Sequence, residues 1–129
     1  MIKQIKSSEI KDFIKENSNT VLLDVRTENE WNSLGKPKAE DLNSKTYFVT
    51  VSHDLSNWQV PDQNFIVNVK KKIDKDKKIL VMCAAGGRSM IAANLLETEG
   101  YSVLNVSDGY SGNGQDPGWK KLNLPINNS

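Results

Sequence analysis

The chain has one cysteine, one histidine and no long apolar run. A single cysteine cannot form an internal disulfide, so the cytoplasm is the expected compartment. His53 has only Cys83 for company, which excludes the usual Cys/His metal spacings. No apolar stretch approaches the length of a spanning helix, and Met1-Ile2-Lys3-Gln4 opens no signal-peptide pattern. The sequons at Asn105 and Asn127 carry no meaning in a chain that is not secreted. Charge of one sign is missing too: the net charge is +1, with 26% charged residues. That balance gives no electrostatic case for nucleic acid or an anionic membrane as partner. There is no internal repeat, and 129 residues suit one domain, 1–129, with its core over 5–125 and a loose end at 126–129.

What is present centres on Ile79-Leu80-Val81-Met82-Cys83-Ala84-Ala85-Gly86-Gly87-Arg88-Ser89. An apolar run bounded by lysines and glycines reads as a buried parallel strand. From Ser89, Ile91 stands over Leu95 and Ala92 over Leu96, which is helical spacing, and Gly100 follows as a stop. Cys83 therefore falls between the C-terminal end of a strand and a helix N-terminus, where open α/β sheets bind ligands. Gly86 and Gly87 can take positive φ and curl the loop amides of Ala84, Ala85, Gly86, Gly87, Arg88 and Ser89 into an anion-binding nest. The helix dipole and the Arg88 charge act in the same direction, favouring thiolate over thiol. The residues thus point to a nucleophilic Cys83; a buried structural cysteine is the plainer alternative.

The remaining pattern is alternating strand and helix. Strands are predicted over 1–5, 21–25, 47–51 and 103–106, and helices from a Ser7-Ser8 cap, from Glu28, from Pro61 at a first helical position, and over 89–99. The fold class is α/β, with a mainly parallel central sheet flanked by helices on both faces. Asp24, polar at the C-terminal end of a strand, either organises the site or caps the next turn. Glu28, Glu30 or Asp24 could pair with Arg26 or Arg88. His53 offers proton transfer or anion binding, or is a solvated surface group. Trp58 reads first as cover over the core and second as a pocket wall. The lysines from Lys70 to Lys78, interleaved with Asp74 and Asp76, read as a solvated helix end rather than a docking patch. Trp119 and Leu122 are expected to dock back on the core.

Cys83-x-x-Gly86-x-Arg88-Ser89 resembles the active-site loop of the rhodanese-like sulfurtransferases. The resemblance continues through Leu23-Asp24-Val25-Arg26, Glu28, Glu30 and Trp31, then Gly100-Tyr101, Asp108-Gly109-Tyr110, Trp119 and Leu124-Pro125, in the family's order. It departs at Gly35-Lys36-Pro37-Lys38-Ala39, where many members carry Gly-His-Ile-Pro-Gly-Ala. Cysteine phosphatases are similar but place five residues between Cys and Arg, whereas here there are four. The resemblance implies a single rhodanese-like domain that moves a sulfane sulfur through a Cys83 persulfide. Thiosulfate or a persulfide would be the donor, with a thiol or cyanide as acceptor, a sulfur-carrier protein as a further partner, and no cofactor or metal. A binding or redox-sensing module on the same fold is the competing reading, and a phosphatase or arsenate-reductase-like enzyme a more distant one.

Overall fold

The computed structural model describes residues 1–127. Its centre is a five-stranded parallel sheet in the order β1-β6-β5-β2-β4. The strands are β1 (Lys3–Ile5), β2 (Thr20–Asp24), β4 (Thr46–Phe48), β5 (Lys78–Met82) and β6 (Ser102–Val106). β2 and β5 are the most apolar and sit in the interior of the sheet, in register from Thr20 opposite Lys78 to Asp24 opposite Met82. The period-two alternation of their side chains sorts two cores. Val21, Leu23, Ile79 and Val81 face one side, where Phe65, Val69, Ala92 and Leu96 cover them. Leu22, Leu80 and Met82 face the other, under Ile10, Ile14 and Trp119. α3 (Phe65–Lys72) and α4 (Gly87–Thr98) therefore lie on one face, and α1 (Ser7–Glu16) and α5 (Gly118–Lys121) on the other.

Several boundaries differ from expectation for identifiable reasons. Ser7 is not a cap but the first residue of α1, and it is buried. Two carboxylates serve that helix N-terminus: Glu9 accepts from Lys6 N, and Asp108 accepts from both Ser7 N and Ser7 Oγ, all at 2.9 Å. α3 starts after Asn64 rather than at Pro61, because the Asp62 carboxylate turns the chain first by accepting from Asn64 N at 3.0 Å. β4 ends at Phe48, although Val49 N and Val51 N still donate to Asp24 O and Val25 O.

The departing segment Gly35-Lys36-Pro37-Lys38-Ala39 holds β3 (Lys36–Pro37), which pairs antiparallel with β7 (Ile126–Asn127). Ile126 and Asn127 are thus paired rather than loose, while 128 and 129 lie outside the described residues. Trp119 is fully buried, but Leu122 stays 36% exposed and does not join the core. The lysine run disperses: Lys70 pairs with Glu99 at 2.7 Å and Lys78 donates to Asn17. Among the described residues no helix is long and apolar enough to cross a membrane.

Candidate active site

Cys83 directly follows β5 and is 1% exposed, at the floor of a cavity of about 300 Å³. Trp58 and Leu55 wall the cavity, and Ala84, Ala85, Gly87 and Arg88 complete it. Gly86 takes φ 104°, and a Cβ there would stand 2.5 Å from Ser107 O, so both backbone and space require glycine. That conformation turns Gly86 N back onto Cys83 Sγ at 3.1 Å. Gly87 does not share the positive φ expected for it; it opens α4, two residues earlier than the apolar spacing indicates. Its missing side chain makes room for Trp58, whose Cη2 would be 3.3 Å from a Cβ. Among the described residues the N–H groups of Ala84, Ala85, Gly87 and Arg88 have no protein acceptor. A loop of unpaired amides at the start of a twelve-residue helix favours negative charge in the cavity.

The ion pairs left open by the sequence resolve cleanly. Arg88 meets Glu30 in a two-pronged contact, Nη1 to Oε1 at 2.6 Å and Nη2 to Oε2 at 2.8 Å. Glu30 also accepts from Thr27 N and Thr27 Oγ1 at the start of α2 (Glu28–Leu34), so it ties that helix to the Cys83 loop. Asp24 pairs instead with Arg26 and also accepts from Arg26 N. Both Asp24 and Arg26 are fully buried and neither lines the cavity. The Arg26 guanidinium donates to Gly35 O and lies 4.0 Å from the Tyr110 ring centre. His53 also lies off the cavity, 68% exposed, with Nε2 3.0 Å from Asp62 Oδ2. Trp58 is a cavity wall rather than simple core cover.

The hydrogen bond to Glu30 raises the Arg88 guanidinium further above its ordinary value, against the effect of burial. Burial pushes the Glu30 carboxyl up, but the bonds from Arg88 and Thr27 outweigh it and leave Glu30 below its ordinary 4.5. A carboxyl lowered on folding adds stability that is complete above its ordinary value and is lost as pH falls through the lower folded one. Glu30→Gln should therefore cost about 1–2 kcal/mol at neutral pH, and the gap from the parent should close in acid. Urea unfolding at a series of pH values checks this; a gap that widens in acid would contradict it.

Two contributions were missed from the sequence. Leu55 lines the cavity beside Trp58. Asn105 on β6 reaches Ser89, whose hydroxyl lies 3.4 Å from Cys83 Sγ. A polar residue inside Val103-Leu104-Asn105-Val106, near the ligand-binding end of a strand, was the available signal. The Asp108-Gly109-Tyr110 turn, which the resemblance puts near the active site, supports the loop from behind, with Tyr110 N donating to Cys83 O and Ser111 N to Ala84 O. No group of three His, Cys, Asp or Glu side chains able to hold a metal occurs among the described residues.

Residues 7–115 match the family model described as Rhodanese-like domain. The chain is 37% identical over 126 residues to the uncharacterized protein RP600 of Rickettsia prowazekii, covering 97% of each. The solved structure of Rv0390 from M. tuberculosis superposes with a TM-score of 0.82 at 25% identity, over 98% of both chains. The polysulfide-sulfur transferase homodimer of Wolinella succinogenes superposes at 0.66 with 20% identity, over 98% of this chain and 78% of that one.

Proposed function

The chain belongs to the rhodanese-like family, and from that premise we propose that it is a sulfurtransferase working through a Cys83 persulfide. In the first half-reaction the Cys83 thiolate attacks the outer sulfur of a donor. A bond forms between Sγ and that sulfur while the donor's S–S bond breaks, and the remainder leaves with the electron pair, as sulfite from thiosulfate or as thiolate from a persulfide. In the second, an acceptor thiolate attacks the outer sulfur and Cys83 leaves as thiolate. The acceptor departs as a persulfide, or as thiocyanate when cyanide takes its place. Sulfane sulfur is exchanged with no net electron demand, so neither step needs a metal or an organic cofactor.

The observation that carries this reading is the Gly86 N–H on Sγ at 3.1 Å, at the floor of a cavity rimmed by unpaired amides. Such donors stabilise a thiolate and then a persulfide anion. The Wolinella protein shares the fold alone, so the argument rests on the loop. Four residues between Cys83 and Arg88 form a smaller ring than a phosphate monoester calls for. Arg88 is already held by Glu30, so recognition of an anionic donor falls to the amides. Trp58 and Leu55 give the cavity an apolar side, which suits the carbon stem of a persulfide better than a bare dianion. A small thiol or a sulfur-carrier protein would be the acceptor, in the reducing cytoplasm that a lone thiol suits.

The test is intact mass after incubation with thiosulfate and, separately, with a low-molecular-weight persulfide. Cys83 should gain one sulfur, lose it to cyanide or a thiol, and Cys83→Ala should gain none. If neither donor loads a thiol that still alkylates in the folded protein, sulfur transfer from these donors is excluded.

A further inference from the structure

The hydrogen bonds around the thiol do not all favour the thiolate. Ser89 Oγ has one proton to give. It donates that proton to Asn105 Oδ1, and the orientation of the Asn105 amide is fixed by its other partners. Asn105 Nδ2 lies 3.3 Å from Gly86 O, a carbonyl that can only accept, and 2.8 Å from Gln4 Oε1. The amide oxygen is therefore the atom left to face Ser89. With its proton committed there, Ser89 Oγ presents lone pairs to Cys83 Sγ at 3.4 Å, and the thiol is the donor in that contact. Ser89 thus stabilises the protonated sulfur, in opposition to the Gly86 N–H at 3.1 Å.

We propose that Asn105 is a positioning residue that opposes ionisation of Cys83 by keeping the Ser89 proton turned away from the sulfur. When Cys83 ionises, Ser89 either leaves Asn105 without its hydroxyl donor or leaves the thiolate with the Gly86 N–H and no hydroxyl donor. Both routes make ionisation harder than it would be without Asn105. The same side chain steadies the peptide of Gly86, whose N–H faces the sulfur, so one residue sets both opposing contacts. The other charged or titratable groups on the surrounding elements are Arg88 with Glu30, Asp24 with Arg26, Asp108 and Tyr110 after β6, Glu28 on α2, Lys78 at the start of β5 and Glu97 near the end of α4. The substitutions below leave all of them in place. The inference concerns the ionisation of the thiol and does not depend on sulfur transfer.

The experiment is the pH profile of alkylation by iodoacetamide, a neutral reagent, followed by intact mass; the chain has one cysteine, so the signal belongs to Cys83. Asn105→Ala frees Ser89 to donate to the sulfur and should move the half-point down by about one pH unit, tenfold in thiolate fraction below it. Ser89→Ala removes the acceptor of the thiol proton and should move the half-point down by less. In the double variant the downward shift from Asn105→Ala should disappear, because that shift acts through Ser89; the route through Gly86 can only add a rise. Thermal unfolding of each variant establishes that it is folded. Should Asn105→Ala fail to fold, the sign of the Ser89→Ala shift still decides which way the proton points. A rise with Ser89→Ala would overturn the proposal, as would a folded Asn105→Ala protein whose half-point stays in place or rises.

Discussion

Asp24→Ala is expected to destabilise the fold by about 3–5 kcal/mol, the range for stranding one partner of a buried ion pair. Arg26 is fully buried, and among the described residues Asp24 supplies its only carboxylate, through Nε and Nη2. Without Asp24 the guanidinium keeps Gly35 O and the Tyr110 ring, and neither carries a formal negative charge. Arg26 Nη1 already has no hydrogen-bond partner among the described residues. A domain of this size commonly has about 5–15 kcal/mol in total, so the variant should sit close to unfolding at ordinary temperature. Urea unfolding with an unchanged slope would read the loss directly. Adding Arg26→Met to Asp24→Ala should recover much of it, since an apolar pair carries no desolvation cost. The folded fraction should still load sulfur, because neither residue reaches the cavity. A loss under about 1 kcal/mol would show that the pair is not buried in solution.

Gly109→Ala should leave the domain folded but slow both sulfur loading and alkylation of Cys83. Gly109 sits at φ 58°, and a Cβ there would lie 2.5 Å from Cys83 O and 2.5 Å from Ala84 O. Both are backbone atoms, so the loop itself must move. Those two carbonyls accept from Tyr110 N and Ser111 N, and the displacement loosens both bonds. A shift of about 1 Å at a reacting atom can cost about 10²-fold in rate, and that is the loss expected for loading. Stability should fall by about 1–3 kcal/mol from the forced contact. Gly114→Ala is the control, since Gly114 also has positive φ (+91°) but nothing within 4 Å of the added Cβ. It should bear only the backbone cost and react at the parental rate. Equal slowing in both variants would exclude a role for the contact with the Cys83 loop.

What could be read from the sequence was what repeats locally. The apolar run into Cys83, the spacing after Ser89 and the glycines between them place the thiol at the right end of the right strand, because each is set by near neighbours. The open pairings were choices among distant partners. Glu30 and Arg88 are fifty-eight positions apart and only the fold brings them together, whereas Asp24 and Arg26, two positions apart, pair locally and leave Arg88 to Glu30. Ser7 looked like a cap because local caps are common; Lys6 is the cap, with local Glu9 on its N–H, and Ser7 itself is held by Asp108, a hundred and one positions away. Trp58 depended on whether Gly87 left it room, and that follows from where α4 starts. Asn105 was hidden in an apolar strand, and only the placement of β6 beside β5 gave it a partner.

The pairing of β1 with β6 also constrains the order in which the molecule can be finished. Lys3 lies opposite Leu104, so β1 joins a strand that is made about a hundred residues later. At about 5–20 residues per second, that separation is several seconds of synthesis. During that interval β2, β4 and β5 can associate, but Asn105 and the turn at Gly109 do not yet exist. The chain therefore carries Cys83 before the residues that brace its loop, and the loop can take its braced form only once Asn105 and Gly109 have been added.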